Sequence, residues 1–296
     1  MKLEVVNDGD RLDKYLNLNT DYSRSKIQSL IEDGDVLVNN EVKRSSYKVK
    51  NGDVIEITIK EEDISNLEKE NIPLDILYED KYLAVINKQS GLVTHPAVGN
   101  YNHTLVNALL YHFNISDKDN VRPGIVHRLD KDTSGVMVVA KDEKTHELLS
   151  LMIKNKEVER KYLALVWGVI KCDRGKIDAP IGRDINNRQK YVVTDINSKE
   201  AITNFEVVKR FNNATLIMCK LDTGRTHQIR VHLNYIGYPV VNDLVYGNRK
   251  IIDKDFGQML HSVSIKFKHP ITNEELYFTK DVPERFNEIM NMFVDK

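Results

Sequence analysis

His127-Arg128-Leu129-Asp130-Lys131-Asp132-Thr133-Ser134-Gly135 runs directly into Val136-Met137-Val138-Val139-Ala140. A polar stretch between Gly124 and Gly135 gives way at once to five apolar residues, three of them β-branched. The second half predicts a buried strand. The first half predicts a loop that presents an acid, a base and a guanidinium at that strand's entrance. The residues permit three readings. Asp130 is a nucleophile or proton acceptor, or His127, Asp130 and Asp132 hold a metal, or the stretch is a salt-bridged structural turn. No third ligand stands at a recognisable metal spacing, which makes the metal reading the weakest. A capped turn is the ordinary state of an arbitrary polar loop.

Outward from this loop, residues 82–86 form a buried-strand run, and 104–113 have helical spacing with Leu105, Ala108, Leu109 and His112 on one stripe. Residues 143–154 predict an amphipathic helix, and 162–170, 201–208 and 214–221 predict strands. Helices and strands in this order, without strict alternation, predict an α+β fold. Its sheet is mixed but largely antiparallel, flanked by helices and loops. A second polar cluster follows: Leu221-Asp222-Thr223-Gly224-Arg225-Thr226-His227-Gln228-Ile229-Arg230-Val231-His232-Leu233. Its periodicity fits a strand or a helix. In a helix, His227 and Arg230 lie one turn apart on one face, and His227 and His232 lie on different faces, a poor zinc pair.

Upstream, Glu61-Glu62-Asp63-Ile64-Ser65-Asn66-Leu67-Glu68-Lys69-Glu70-Asn71 is polar and short of core residues. It predicts a linker over 62–72 between a small module, 1–61, and a large one, 73–296. In the small module Ser23 or Ser25 can cap a helix, Ser25 and Gln28 having capping-box spacing, and Gly34 ends it. Residues 36–38 read as a strand entering an Asn39-Asn40 turn, and 54–59 as another. Arg24 and Lys26 stand opposite the apolar face of Ile27, Leu30 and Ile31; alone, such charges describe a solvated surface.

Forty-three basic against forty-four acidic residues give a formal charge of −1, which excludes a globally basic nucleic-acid coat but allows a local basic groove. No apolar run approaches the roughly 20 residues of a membrane span, and the first residues are too acidic for a secretory signal. Two cysteines, Cys172 and Cys219, stand far apart, which suits a reducing cytoplasm.

The order of motifs carries a resemblance. Arg11-Leu12-Asp13-Lys14-Tyr15-Leu16, Ser23-Arg24-Ser25-Lys26-Ile27-Gln28, Gly34-Asp35-Val36-Leu37-Val38-Asn39 and Tyr47-Lys48-Val49-Lys50-Asn51-Gly52-Asp53 resemble the small RNA-binding domain named after the fourth small-subunit ribosomal protein, an S-four-like domain. That resemblance implies that Arg24 and Lys26 hold structured RNA through phosphates and shape. The stretch from His127 to Gly135 resembles the signature of the RluA/RluD family of RNA pseudouridine synthases. His95-Pro96-Ala97-Val98-Gly99-Asn100, Arg160-Lys161-Tyr162-Leu163-Ala164 and Gly224-Arg225-Thr226-His227-Gln228-Ile229-Arg230 agree in order, as do Leu260-His261-Ser262 and His269-Pro270. The whole is most similar to the synthase D type, which acts on the large ribosomal subunit. Three stretches depart from the pattern: Ser198-Lys199-Glu200-Ala201, Tyr238-Pro239-Val240-Val241-Asn242-Asp243, and residues 184–198. They lie outside the signature motifs and so bear on target choice.

The resemblance implies a cytoplasmic, monomeric enzyme that isomerises uridines to pseudouridine without cofactor or metal. Its expected partner is structured RNA, large-subunit (23S) ribosomal RNA or the pre-ribosomal large subunit. It implies Asp130 as the essential carboxylate, Arg230 as its partner and Tyr162 against the target base. A target uridine leaves its helix at a cost of a few kcal/mol, and Arg128 fills the space it vacates. Arg225 and His227 are expected at the cleft rim, open to the RNA backbone, and His127 supports the loop. Three rivals remain: a non-catalytic ribosome-assembly factor, a synthase acting on tRNA or other rRNA positions, and a metal-dependent hydrolase on His127, Asp130 and Asp132. Deleting residues 1–61 is expected to weaken binding to structured rRNA and to flatten its salt dependence, since fewer counterions are released. Titrations at several salt concentrations check this, and an unchanged affinity and slope would remove the module as an RNA anchor.

Overall fold

The computed structural model describes residues 1–20, 22, 24–58, 67–96, 102–113, 115, 123–185, 187, 190–247 and 251–294, without the side chains of 25, 26 and 29. The chain forms two compact units, Met1–Asn66 and Leu67–Lys296.

The first unit holds β1 (Lys2–Glu4), α1 (Leu12–Asn19), α2 (Arg24–Glu32), β2 (Val36–Val38), β3 (Glu41–Val42) and β4 (Val54–Ile57). Its sheet order is β1-β4-β2-β3, all antiparallel. Leu12, Leu16, Ile27, Leu30 and Ile31 from the two helices pack on Val36, Val38, Ile55 and Ile57, so the apolar spacing read from the sequence is the core face. Gly34 (φ +75°) closes α2, and Asn39 and Asn40 (φ 52° and 66°) make the β2–β3 turn. Buried Asp53 gathers this end: it accepts from Tyr47 Oη at 3.0 Å, Asn39 Nδ2 at 2.8 Å and the Lys50 amide at 2.9 Å. Arg24 is exposed at the start of α2. Ser23 and Ile59 lie outside the described residues, as do the side chains of Ser25 and Lys26.

The second unit opens with residues that the sequence reading placed in the linker. Leu67 and Ile72 pack against its core, the Asn107 side-chain amide donates to the Glu68 carbonyl at 2.8 Å, and the Glu70 amide donates to the Asn107 carbonyl at 3.1 Å. There follow β5 (Asp75–Glu79), β6 (Leu83–Lys88), α3 (Leu105–His112), β7 (Ser134–Ala140), α4 (Glu143–Lys154), β8 (Glu159–Trp167), β9 (Arg174–Asp178), β10 (Ile181–Arg183), β11 (Tyr191–Val193), β12 (Ile202–Arg210), β13 (Ala214–Leu221), α5 (Gln228–Tyr235), β14 (Leu260–Lys268), β15 (Glu275–Thr279) and α6 (Glu284–Asn291). Among the described residues, β5-β6-β7-β14-β8-β13-β12-β9 form one sheet with β15 added to β14, and β10 pairs with β11 separately. Among the described residues β7 and β14 are the one parallel pair of strands in this sheet, so the sheet is mixed and largely antiparallel, as expected.

The unbroken apolar run of β7 has its reason here. Met137 and Val139 enter the core beneath α3, while Val136, Val138 and Ala140 enter the core beneath α4 with Leu149 and Val158. A central strand covered on both faces needs no polar alternation. Thr104 caps α3 through a capping box with Asn107, and Asp142 caps α4 by accepting the Thr145 amide at 2.9 Å.

One glycine decides where the catalytic-looking loop sits. Gly135 takes φ +120°, and a Cβ there would lie 2.2 Å from the Ser262 carbonyl oxygen. Only glycine lets β7 come this close to the parallel strand β14, and that closeness holds the preceding loop over the sheet. Gly135→Ala is expected to destabilise the second unit by about 3 kcal/mol or more, since strain and clash add. Urea unfolding checks it; a loss below about 1 kcal/mol would show that the two strands can separate without consequence.

Candidate active site

Residues 127–133 form a tight loop in front of β7. His127 and Leu129 are buried, Arg128 is exposed and Asp130 is half-buried between them. The Thr133 amide donates to the Asp130 carbonyl at 3.1 Å, Gln258 Nε2 to Thr133 Oγ1 at 2.9 Å, and Ser134 Oγ pairs with His261 Nδ1 at 2.8 Å. Asp132, Thr133 and Ser134 thus belong to a structural turn. A second set of bonds comes from the end of β6. Lys88 Nζ donates to the carbonyls of Gln89, Leu92 and Lys131 at 2.8–2.9 Å, Ser90 Oγ to that of Asp132, and Thr94 Oγ1 to that of Leu129 at 2.6 Å. Burial pulls the Lys88 amine down to about 7, against the upward pull of Asp130 and Asp132. Lys88 was not singled out from the sequence. The available signal was a lysine closing a strand whose apolar run is Leu83-Ala84-Val85-Ile86.

The second polar cluster resolves as a turn and the helix α5. Gln228 decides this by reaching back over the turn. Its Oε1 accepts from Thr223 Oγ1 and the Arg225 amide, both at 2.9 Å, and its Nε2 donates to the Ile202 carbonyl and Thr203 Oγ1. His227 takes a left-handed conformation (φ 57°) just before the helix. His227 and Arg230, one turn apart, then face Asp130.

Arg230 Nη1 donates to Asp130 Oδ2 at 2.9 Å, while Nε and Nη2 grip Asp243 at 2.7 and 2.9 Å. Asp243, fully buried, also accepts the amides of Val245 and Tyr246. Burial by itself pushes the Asp243 carboxyl up. The Arg230 hydrogen bonds and charge, with those two amides, hold it below the usual range. The Tyr246 ring lies under the guanidinium, 5.1 Å from its carbon. Tyr162 is buried on β8, lining the same cleft, a cavity of about 520 Å³ that also includes Arg128, Asp130, Arg225 and Arg230. Burial raises the Tyr162 phenol, which keeps it protonated at neutral pH.

Two sequence expectations change. His227 is not at the rim: its Nε2 lies 3.9 Å from Asp130 Oδ1, and its Nδ1 is 2.9 Å from Tyr246 Oη. Burial lowers its pKa and favours the neutral ring. Arg225 does stand exposed at the cleft edge, its Nε donating to the Glu200 carbonyl at 2.8 Å. The departures, expected to bear on target choice more than on activity, help to build the site. Asn242 takes φ 64°, a conformation asparagine tolerates in place of glycine, and its Oδ1 accepts the amides of Ile252 and Asp253 at 2.9 Å. That bend delivers Asp243 to Arg230. Tyr191, in the departing stretch 184–198, donates its amide to Tyr246 Oη at 2.9 Å and stacks edge-on with His227. Residues 97–100 of the early motif lie outside the described residues.

The metal reading loses its ligand set. His127 turns Nε2 to the Val138 amide at 3.1 Å, and among the described residues no three His, Cys, Asp or Glu side chains converge as metal ligands.

The sequence profile of RNA pseudouridylate synthases matches residues 82–235, which span Asp130, Tyr162 and Arg230. The chain belongs to this family. It is an RNA pseudouridine synthase, and residues 10–55 match the S4 domain. It is 46% identical to an uncharacterized RNA pseudouridine synthase of Bacillus subtilis, over 95% of this chain and 93% of that one. It is 41% identical to the ribosomal large subunit pseudouridine synthase D of Pseudomonas aeruginosa, over 96% and 92% of the two chains. The structure of human RNA pseudouridylate synthase domain containing 1 superposes with a TM-score of 0.59 at 27% identity, covering 72% of this chain and 85% of that one. Among the described residues no helix is long and apolar enough to cross a membrane.

Asp243→Asn keeps the shape but leaves Arg230 gripped by one charge. Disturbing a buried ion pair of this kind typically removes about 3 kcal/mol of stability. A guanidinium no longer locked misaligns Asp130, and turnover is expected to fall roughly 100-fold. Urea unfolding and single-turnover rates on RNA check both; full activity in the variant would show that Asp130 alone orients Arg230.

Proposed function

We propose that this synthase modifies uridines of large-subunit ribosomal RNA in the cytoplasm, on a target nucleotide flipped out of its helix, with Asp130 as the essential carboxylate. The observation that carries the reading is the Arg230 guanidinium clamped between Asp243 and Asp130 in a cleft floored by Tyr162. Isomerisation breaks the bond from the sugar C1′ to a ring nitrogen and forms one from C1′ to a ring carbon; that carbon then loses its proton and the freed ring nitrogen gains one, so the atoms balance. The sugar and base must be held while the base turns, and one carboxylate must stay fixed beside them. Arg230 fixes it with one hydrogen bond while Asp243 prevents the guanidinium from rotating. Tyr162 offers a flat, buried surface to the base, and its protonated hydroxyl sits where a ring proton can be relayed.

Base flipping follows from depth: Asp130 lies inside the cleft, where a stacked uridine cannot reach. Exposed Arg128, beside Asp130, is placed to enter the vacated space, its planar group able to stack and to contact phosphate. Arg225 contacts the backbone at the rim, and Arg24 and Lys26 of the S4 domain anchor structured RNA. The names of relatives such as the Pseudomonas enzyme favour the large subunit over tRNA. His227 stands beside Asp130, its Nε2 3.9 Å from the carboxylate's second oxygen and its Nδ1 paired with Tyr246 Oη.

The test is purified protein incubated with transcripts of large-subunit rRNA, small-subunit rRNA and tRNA, followed by pseudouridine mapping. Pseudouridine confined to the large-subunit transcript supports the reading, and pseudouridine only in tRNA overturns the substrate assignment. Asp130→Asn is expected to lower single-turnover rates more than about 1,000-fold while leaving RNA affinity within a few-fold. Normal turnover by that variant would remove Asp130 from the chemistry.

A further inference from the structure

Arg160 stands two residues before Tyr162 on β8, on the same face, and is 5% exposed. Its guanidinium lines the cleft. The other deeply buried arginine, Arg230, holds two carboxylates, whereas among the described residues no carboxylate lies within salt-bridge reach of Arg160. Its Nε is buried without a hydrogen-bond partner. The guanidinium lies against Gly224, where a Cβ would meet Nη1 at 3.1 Å. The missing side chain at position 224 leaves this group its room beside the cleft.

His127 adds an independent sign. Its Nε2 accepts the Val138 amide, so the neutral ring carries its proton on Nδ1, and that buried nitrogen has no partner either. Burial first, and then the charge of Arg160, push this imidazole down to about 3, which keeps it neutral. The wall beside Tyr162 therefore presents buried donors with no acceptor, one of them cationic. Unsatisfied buried donors of this kind are strongly disfavoured unless something else completes them. Arg128, Lys154, Lys156 and Arg225 add exposed positive charge around the same cleft. Like charges gathered about an unpaired guanidinium are relieved by a polyanion.

We infer that Arg160 is a phosphate-binding residue for the substrate nucleotide, taking one of the two phosphodiesters that flank the flipped uridine. The inference rests on the cleft being the uridine site. Residues two apart on a strand are spaced by about 6.6 Å, a span comparable to that from a nucleotide's base to its own phosphate. With the base on Tyr162 and the phosphate on Arg160, the sugar between them is presented to Asp130. Arg160 is then a positioning residue: it acts by fixing the nucleotide.

The test replaces the phosphate as well as the arginine. RNA carrying the mapped uridine is made with a neutral methylphosphonate at one linkage at a time, and binding is measured to the wild type, Arg160→Met and Arg160→Lys. One flanking linkage is expected to weaken wild-type binding about 10-fold when neutralised and to have no further effect on Arg160→Met. Arg160→Met is expected to raise KM more than it lowers kcat, and to reduce the slope of log affinity against log salt by about 0.7–0.9. Arg160→Lys is expected to recover the salt slope. The RNA-free Arg160→Met protein is expected to melt no lower than the wild type, because an unpaired buried charge has been removed. Equal sensitivity of wild type and Arg160→Met to every linkage, or a lower melting temperature with an unchanged salt slope, would make Arg160 a structural residue and overturn the inference. The two failures are distinguishable: pseudouridine at the mapped uridine with no linkage dependent on Arg160 would overturn the inference alone, whereas no pseudouridine in any transcript would sink the proposed function and the inference with it.

Discussion

The Arg230 guanidinium, held on one side by Asp243 and on the other by Asp130, is the interaction on which the site depends. It joins helix α5 and the bend after residue 240 to the loop before β7, which is 100 residues away in the chain. A buried cation between two anions tolerates little displacement, because each lost contact leaves a charge unpaired in a medium of low polarity. The Tyr246 ring beneath the guanidinium and the two amides on Asp243 limit its movement further. Asp130 is the member with a face left open to the cleft, and so the member available for chemistry.

That clamp works only because the Asp130 loop is itself immobile. Lys88 supplies much of this rigidity, placing a fully buried amine among three carbonyls, one of them in the loop. Burying an ammonium is unfavourable, and the three acceptors match its three protons. Gly135 completes the arrangement from the other side by letting β7 and β14 meet in parallel at the loop's exit. The scaffold thus sets the carboxylate from beneath with backbone contacts and from the side with Arg230.

The two buried arginines of the cleft stand in contrast. Arg230 is neutralised within the protein and orients a carboxylate. Arg160, two residues from Tyr162, has no such partner among the described residues and lines the cleft with the same sign of charge as its rim. One guanidinium serves the chain and the other awaits an anion from outside. This division suits a substrate that brings its own negative charge.

Much of this was legible in the sequence. The apolar run 136–140, the spacing of α3 and α4 and the mixed order of elements determined an α+β sheet protein, because burial on one face or two writes itself into periodicity. The linked motifs around Asp130, Tyr162 and Arg230 pointed to one site, and the 2.9 Å contact between Asp130 and Arg230 agrees. What the sequence left open was helix or strand for residues 227–235, since Ile229, Val231 and Leu233 suit a strand whereas Ile229, Leu233 and Ile236 suit a helix. Gln228 resolves it through bonds to Thr203 and Thr223 that exist only once β12 and β13 are in place. Asp243, Lys88 and the inward turn of His227 were invisible for the same reason. Each owes its role to a partner outside its own element, and such side-chain contacts are decided by tertiary packing, which local pattern does not encode.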